Sequence, residues 1–208
     1  LLTRDIALVD AKFAAITLRQ GQNFLRALAL LQGRALSLAE LANQTAIRPA
    51  LAKKIFDALE MLSVVDRIPP AILAKKSVRK MRIEWKDIGL WRHALGLGVQ
   101  ETVGSNDALK LCITQEFRTQ LGLMSNPPLW SFYKSRDAGH IPWIFTRGNQ
   151  SLAVSCIPSE NPSPYETRAL RTLVESNAKT VGVVLGSKHA PVTALAPRVW
   201  LIPYTAVF

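Results

Sequence analysis

Only two cysteines occur in 208 residues, Cys112 and Cys156, and they form no C-x-x-C pair. That argues against a disulfide framework or a cysteine-based zinc site, and predicts two buried thiols in a reducing compartment. The three histidines, His93, His140 and His189, stand far apart along the chain, so no spacing points to a histidine metal site. No G-x-x-x-x-G-K-[ST] run is present to cradle phosphates, and no G-x-S-x-G elbow to expose a nucleophilic serine. No apolar run reaches the roughly 18 residues a bilayer-spanning helix needs. No secretory signal is visible either, so no membrane partner and a cytoplasmic location are expected. Acid is scarce: 15 Asp and Glu face 26 Lys and Arg, a formal net charge of +11.

What is present is a core and an uneven charge. Hydrophobic residues make up 49% of the chain, too many for a disordered tail. Residues 1–98 hold 16 Lys or Arg against 8 Asp or Glu, whereas residues 99–208 hold 10 against 7. The basic surplus sits with the chain's most specific local pattern, Ser37 to Leu62. Ser37 and Glu40 have the spacing of a capping box and open a helix over 38–44. Thr45-Ala46-Ile47 is the turn. Pro49 suits the first position of a second helix, where its missing N–H costs nothing. Leu51, Ile55, Ala58, Leu59 and Leu62 fall on one face of that helix, with Lys53, Lys54 and Asp57 on the other. Two short helices around a tight turn in a basic region are the pattern of a helix-turn-helix, a common way to address DNA.

Around this motif, residues 6–18 and 24–31 have helical apolar spacing, and Gly33 stops the second run. Val64 to Ile68 reads as a strand ended by Pro69-Pro70. Residues 74–86 alternate cations with Val78, Met81, Ile83 and Trp85, which predicts a strand pair with a basic outer surface. Asp87 opens a last short helix ending near Gly96 or Gly98. The order is that of a winged helix over residues 1–98. The candidate nucleic-acid contacts are Arg48, Lys53 and Lys54 on the second helix and Lys75, Lys76, Arg79, Lys80 and Arg82 on the wing. Lysines reach phosphates more readily than base edges, so backbone contact with strong salt dependence is expected. Trp85, Trp91, Trp130, Trp143 and Trp200 are read as core.

Residues 99–208 read as a second domain. A helix is predicted over 108–121 and strands over 129–134, 141–146 and 152–157. A Pro-rich loop spans 158–164, a helix 165–176, and two strands 180–185 and 199–203. The order α-β-β-β-α-β-β predicts a mixed sheet flanked by helices, and is also that of the restriction-endonuclease-like core.

Four segments carry a family resemblance: Leu41-Ala42-Asn43-Gln44-Thr45-Ala46-Ile47-Arg48, Ile68-Pro69-Pro70-Ala71, the basic stretch Lys75 to Arg82, and Lys86-Asp87-Ile88-Gly89-Leu90. In order and spacing the chain resembles the C-terminal region of predicted bacterial and archaeal AAA+ superfamily ATPases. The resemblance implies an ATPase module upstream of Leu1 or in trans. It also implies a PD-(D/E)xK nuclease-like second domain, where carboxylates would hold Mg²⁺ and a lysine would help activate water. At the matching positions this chain has Pro142, Ala153, Ser155 and Lys110, which supply no carboxylate; Glu116 and Asp137 lie nearby without restoring the pattern. The expectation is an α+β protein: a winged helix-turn-helix over 1–98, then a degenerate restriction-endonuclease-like sheet over 99–208. It would be non-catalytic, need no cofactor, and dock DNA through its backbone. A protein-interaction module coupling an ATPase to a partner, and a nuclease with a migrated site, stand as alternatives.

Overall fold

The structure, a computed structural model, describes residues 17–71, 80–98, 105–134 and 139–208. The expected helix over 6–18 lies outside these residues except at its end, as does the first part, 74–79, of the basic stretch over 74–86. Among the described residues the architecture is mixed α+β. It comprises helices α1 (Leu18–Leu30), α2 (Leu38–Thr45), α3 (Pro49–Met61), α4 (Ile88–Leu95), α5 (Ser105–Gly122) and α6 (Arg168–Ser176), with two β-sheets. The chain forms two compact units, one from residues 1–67 and 80–111, the other from 68–79 and 112–208.

In the first unit, local chemistry fixes each helix end. Thr17 and Gln20 form a capping box on α1, and Ser37 and Glu40 form one on α2. Ala46 takes the left-handed conformation (φ 53°) that closes α2, and Pro49 starts α3. Asp87 caps α4, which Gly96 ends at φ 78°. The core joins Phe24 and Leu28 of α1, Leu41 of α2, Ile55, Phe56 and Leu59 of α3, and Trp91 of α4. The Trp91 indole N–H donates to the Ala29 carbonyl at 2.9 Å, which satisfies its buried polar atom.

Three short strands complete this unit, in the order β1 (Ala35–Leu36), β3 (Met81–Trp85), β2 (Val65–Ile68). β1 pairs antiparallel with β3, placing Ala35 opposite Arg82. β3 is buried at every position but its first. Ile83 and Trp85 enter the helical core. Arg82 and Glu84, on the other face of the strand, are also buried, at 2% and 0% exposure, and form an ion pair. The turn after α1 clasps this pair. Gln32 donates to the Glu84 carboxylate and accepts from the Trp85 N–H at 2.8 Å. The Gly33 N–H donates to Ile83 O at 2.9 Å, with φ 68° suited to glycine. Desolvation pulls the Arg82 guanidinium down to about 9, so it remains a cation at neutral pH.

The second unit is built on a six-stranded sheet ordered β4 (Leu129–Lys134), β5 (His140–Arg147), β6 (Gln150–Cys156), β7 (Thr180–Gly186), β9 (Val199–Pro203), β8 (Thr193–Ala196). β4, β5 and β6 form an antiparallel meander, β6, β7 and β9 run parallel, and β8 returns antiparallel. Pro142 lies inside a central strand, where it cannot donate to the ladder. The sheet accommodates it with a register shift: Ser131 faces Ile144, but Tyr133 faces Ile141. Phe132 therefore opposes both Pro142 and Trp143, a bulge of the kind that admits proline. The bulge also puts Ile141 and Ile144, an odd number of residues apart, in one core cluster. The Phe132 backbone instead bonds the 69–71 segment, accepting from Ala71 N at 2.7 Å and donating to Pro69 O at 3.1 Å.

Helix α6 covers one face of this sheet through Leu170, Leu173 and Val174. A Cβ on Gly182 would stand 3.0 Å from Leu170, so glycine sets that close approach. On α5, Phe117 meets Trp143 and Phe145 edge-on, and Thr114 accepts from the Trp143 indole at 3.0 Å. Helix α6 starts at Arg168 rather than Tyr165, because Ser163 and Glu166 close a separate turn ahead of it. Two expectations need correction here. Trp200 is 46% exposed rather than core, and Cys112 is half-buried where a buried thiol was expected; Cys156 is buried, and no disulfide joins the two.

Candidate nucleic-acid interface

The candidate interface lies on α3. Its apolar side, Ala52, Ile55, Phe56, Ala58 and Leu59, is buried, so its polar side must face solvent. Arg48, Pro49, Ala50, Lys53 and Lys54 are all exposed there. No side chain caps the first turn of α3. The positive end of its backbone dipole therefore lies uncapped beside the three cations.

Acid on α3 is confined to its second half, where Arg67 holds it. Arg67 ion-pairs with Asp57 and Glu60, donates through Nε to Glu60 at 2.6 Å, and lies over the Phe56 ring at 4.8 Å. Burial pushes the Asp57 carboxyl up, but hydrogen bonds from Lys53 and Arg67 outweigh it and hold the group below its usual range. Lys53 reaches Asp57 at 2.9 Å while 63% exposed. An exposed pair of this kind is worth only about 0.3–0.5 kcal/mol, so Lys53 can exchange its carboxylate for a phosphate at little cost.

The remaining nominated cations divide. Lys75, Lys76 and Arg79 fall outside the described residues. Lys80 ion-pairs with Glu40, and both side chains are a little under half exposed. That contact, first among its causes, and the Ser37 N–H take the Glu40 carboxyl down to about 2. Arg82 is a correction: it was expected on a basic outer surface, and it is buried against Glu84. The alternation in 81–85 was real, but the second face of the strand is not solvent. Arg82 and Glu84 are two apart in a strand and hence on one face; that spacing was the signal that they neutralise each other. Two polar residues that sequence reasoning left out, Asn43 and Gln44, are exposed on the last turn of α2. Arg67 was also missed, although acids at i and i+3 on α3 call for a cation.

Three of the four positions matched to nuclease catalysis lie in the second unit and are enclosed, whereas Lys110, on α5, is half-buried. Pro142 and Ala153 are buried, and Ser155 is 9% exposed. Glu116 accepts from Gln120 on its own helix at 2.9 Å. Asp137 lies outside the described residues. Among those residues no three His, Cys, Asp or Glu side chains converge on a point that could hold a metal, and no helix is long and apolar enough to cross a membrane.

Residues 1–101 match a family described as a domain of unknown function (DUF8612). No curated protein matches the chain. Among solved structures, the crystal structure of protein VC1899 from Vibrio cholerae aligns at 10% sequence identity over 89% of this chain and 47% of that one, with a TM-score of 0.25. The chain thus spans about half the length of that protein, and a likeness at this score carries no argument about fold or function.

Proposed function

We propose that this chain is a non-catalytic nucleic-acid-binding region that docks on the DNA backbone through the first two turns of α3, in a winged-helix arrangement. The observation that carries the reading is the separation of charge along α3: Arg48, Lys53 and Lys54 are exposed at its start, while Arg67 holds the acids at its end. The helix pair with its left-handed turn and the three-stranded sheet around it support the winged-helix assignment. The second unit serves as a scaffold derived from a restriction-endonuclease-like core. Its α-β-β-β-α-β order, with an antiparallel meander followed by a parallel strand, supports that reading, and so do the side chains at the matched positions. A hard divalent cation takes oxygen ligands, commonly carboxylates, and Pro142 and Ala153 have no side-chain oxygen. Coupling to an AAA+ ATPase module rests on the sequence resemblance alone.

The test is fluorescence anisotropy with a labelled duplex of about 20 base pairs, two helical turns, across a salt series. Binding should weaken steeply with salt, with each lost phosphate contact lowering the log–log slope by about 0.9. Lys53→Glu/Lys54→Glu should lower the slope by about two such contacts, and Lys75→Glu/Lys76→Glu/Arg79→Glu should lower it further if the wing takes part. Absence of binding at low salt, or binding indifferent to the α3 pair, would overturn the proposal. Mg²⁺- or Mn²⁺-dependent cleavage lost on Glu116→Gln would instead establish the migrated-site nuclease.

A further inference from the structure

The six-stranded sheet has one face only partly roofed by the described residues. Phe145, Leu152 and Val181 are direct cross-strand neighbours on β5, β6 and β7, so they form a row across that face. Phe117 of α5 covers the first member of the row. Leu152 and Val181 are 39% and 41% exposed. Val183, two residues beyond Val181, is half-buried and pairs with the exposed Trp200 of β9 on the same face. At the other end the C-terminal 3₁₀ turn (Tyr204–Val207) closes against α5, where Gln120 donates to Val207 O at 2.8 Å. What remains is an open groove of about 750 Å³ beside α5, with Met124, Leu152 and Val181 in its lining and Arg147 and Lys179 at its margin. No Asp or Glu lines it.

A sheet face with apolar residues in a contiguous row calls for a covering layer. The geometry points to an acidic amphipathic helix of a partner protein, lying beside α5 with its apolar stripe on Leu152 and Val181 and its carboxylates toward Arg147 and Lys179. Charge selects this occupant. A second copy would bring the same two cations against themselves, in a chain whose net charge is already +11. Single-stranded nucleic acid needs a series of exposed rings on which successive bases stack; Phe145 in the lining is only 9% exposed, which leaves Trp200, outside the groove, as a single platform on this face among the described residues. A helix meets the row with side chains at i, i+3, i+4 and i+7. Arg147 is already positioned, since its guanidinium donates to the Asn126 carbonyl.

The probe is a labelled helical peptide of about 18 residues, roughly 27 Å long, with a leucine stripe flanked by glutamates. Controls are the same peptide with lysine flanks and an oligothymidylate of about 12 nucleotides. Anisotropy on the full chain should show the glutamate peptide binding at least about tenfold more tightly than the lysine peptide. Leu152→Asp/Val181→Asp should abolish binding. Arg147→Glu/Lys179→Glu, at exposed positions outside the core, should reverse the preference while leaving duplex-DNA binding through α3 unchanged. Equal binding of the two peptides, no binding of the glutamate peptide, indifference to the charge reversal, or displacement of the peptide by the oligothymidylate would each overturn the inference.

Discussion

Helix α3 and strand β3 each carry cations alongside acids, and they use their cations in opposite ways. On α3 a wide apolar face is buried, so Lys53 and Lys54 are driven to solvent. On β3 both faces are buried, and Arg82 is carried inside with Glu84 as its counter-charge. A run of cations thus says little about a binding surface until the geometry of its carboxylates is known. An acid two residues away in a strand permits burial of the pair. An acid four residues along an exposed helix, like Asp57 after Lys53, leaves the cation available.

The comparison can be broken most forcefully at Glu84. Glu84→Ala leaves the Arg82 charge buried without its partner and should cost about 3–5 kcal/mol, read as a fall in the urea midpoint. The paired change Arg82→Met/Glu84→Met should cost far less, because it removes both charges and keeps the volume. If Glu84→Ala were harmless, the pair would not be buried as described. Ser37→Ala removes the α2 cap and should cost about 1 kcal/mol by the same measurement. Lys53→Ala should change stability by less than about 0.5 kcal/mol while weakening DNA binding, so that its two effects separate where those of Glu84 do not. The smallest effect concerns pH. Glu40 ionises at about 2 in the folded chain against 4.5 for the unperturbed group. Its depressed value stabilises the fold above about 4.5, and that contribution is lost as pH falls toward 2. Glu40→Gln should flatten this part of the acid-stability curve, and an unchanged curve would show that the Lys80 contact does not persist in solution.

Most of the first unit's helices could be read from sequence because their ends are determined locally. Ser37 with Glu40, Pro49, Asp87 and Gly96 each act within one turn. The strands over 129–134 and 199–203 were equally plain, as short apolar runs between turn residues. What could not be read depends on partners distant in sequence. β1 is two residues long and exists because Ala35 and Leu36 pair with β3. β8, at the sheet's edge, carries the weak pattern Thr-Ala-Leu-Ala and is defined by its pairing with β9. Trp200 belongs to an apolar strand, yet among the described residues the contacts of α5 on its side of the sheet are with Trp143 and Phe145 of β5, and no local pattern reports where a covering layer stops. In the candidate site, Arg48, Lys53 and Lys54 were legible because helical periodicity assigns each residue a side. Arg82 was misplaced because strand periodicity assigns a side without saying whether that side meets water.

The two compact units do not correspond to two successive lengths of chain. The backbone passes from one to the other after Arg67, returns at Lys80, and leaves again within α5 after Leu111. The bonds from Phe132 to Pro69 and Ala71 fasten the middle piece to the later unit. No single scission can therefore release either unit whole, and a polypeptide ending near residue 100 carries a short piece that belongs to its neighbour. Dissection of this protein into its two units therefore calls for point substitutions rather than a single truncation.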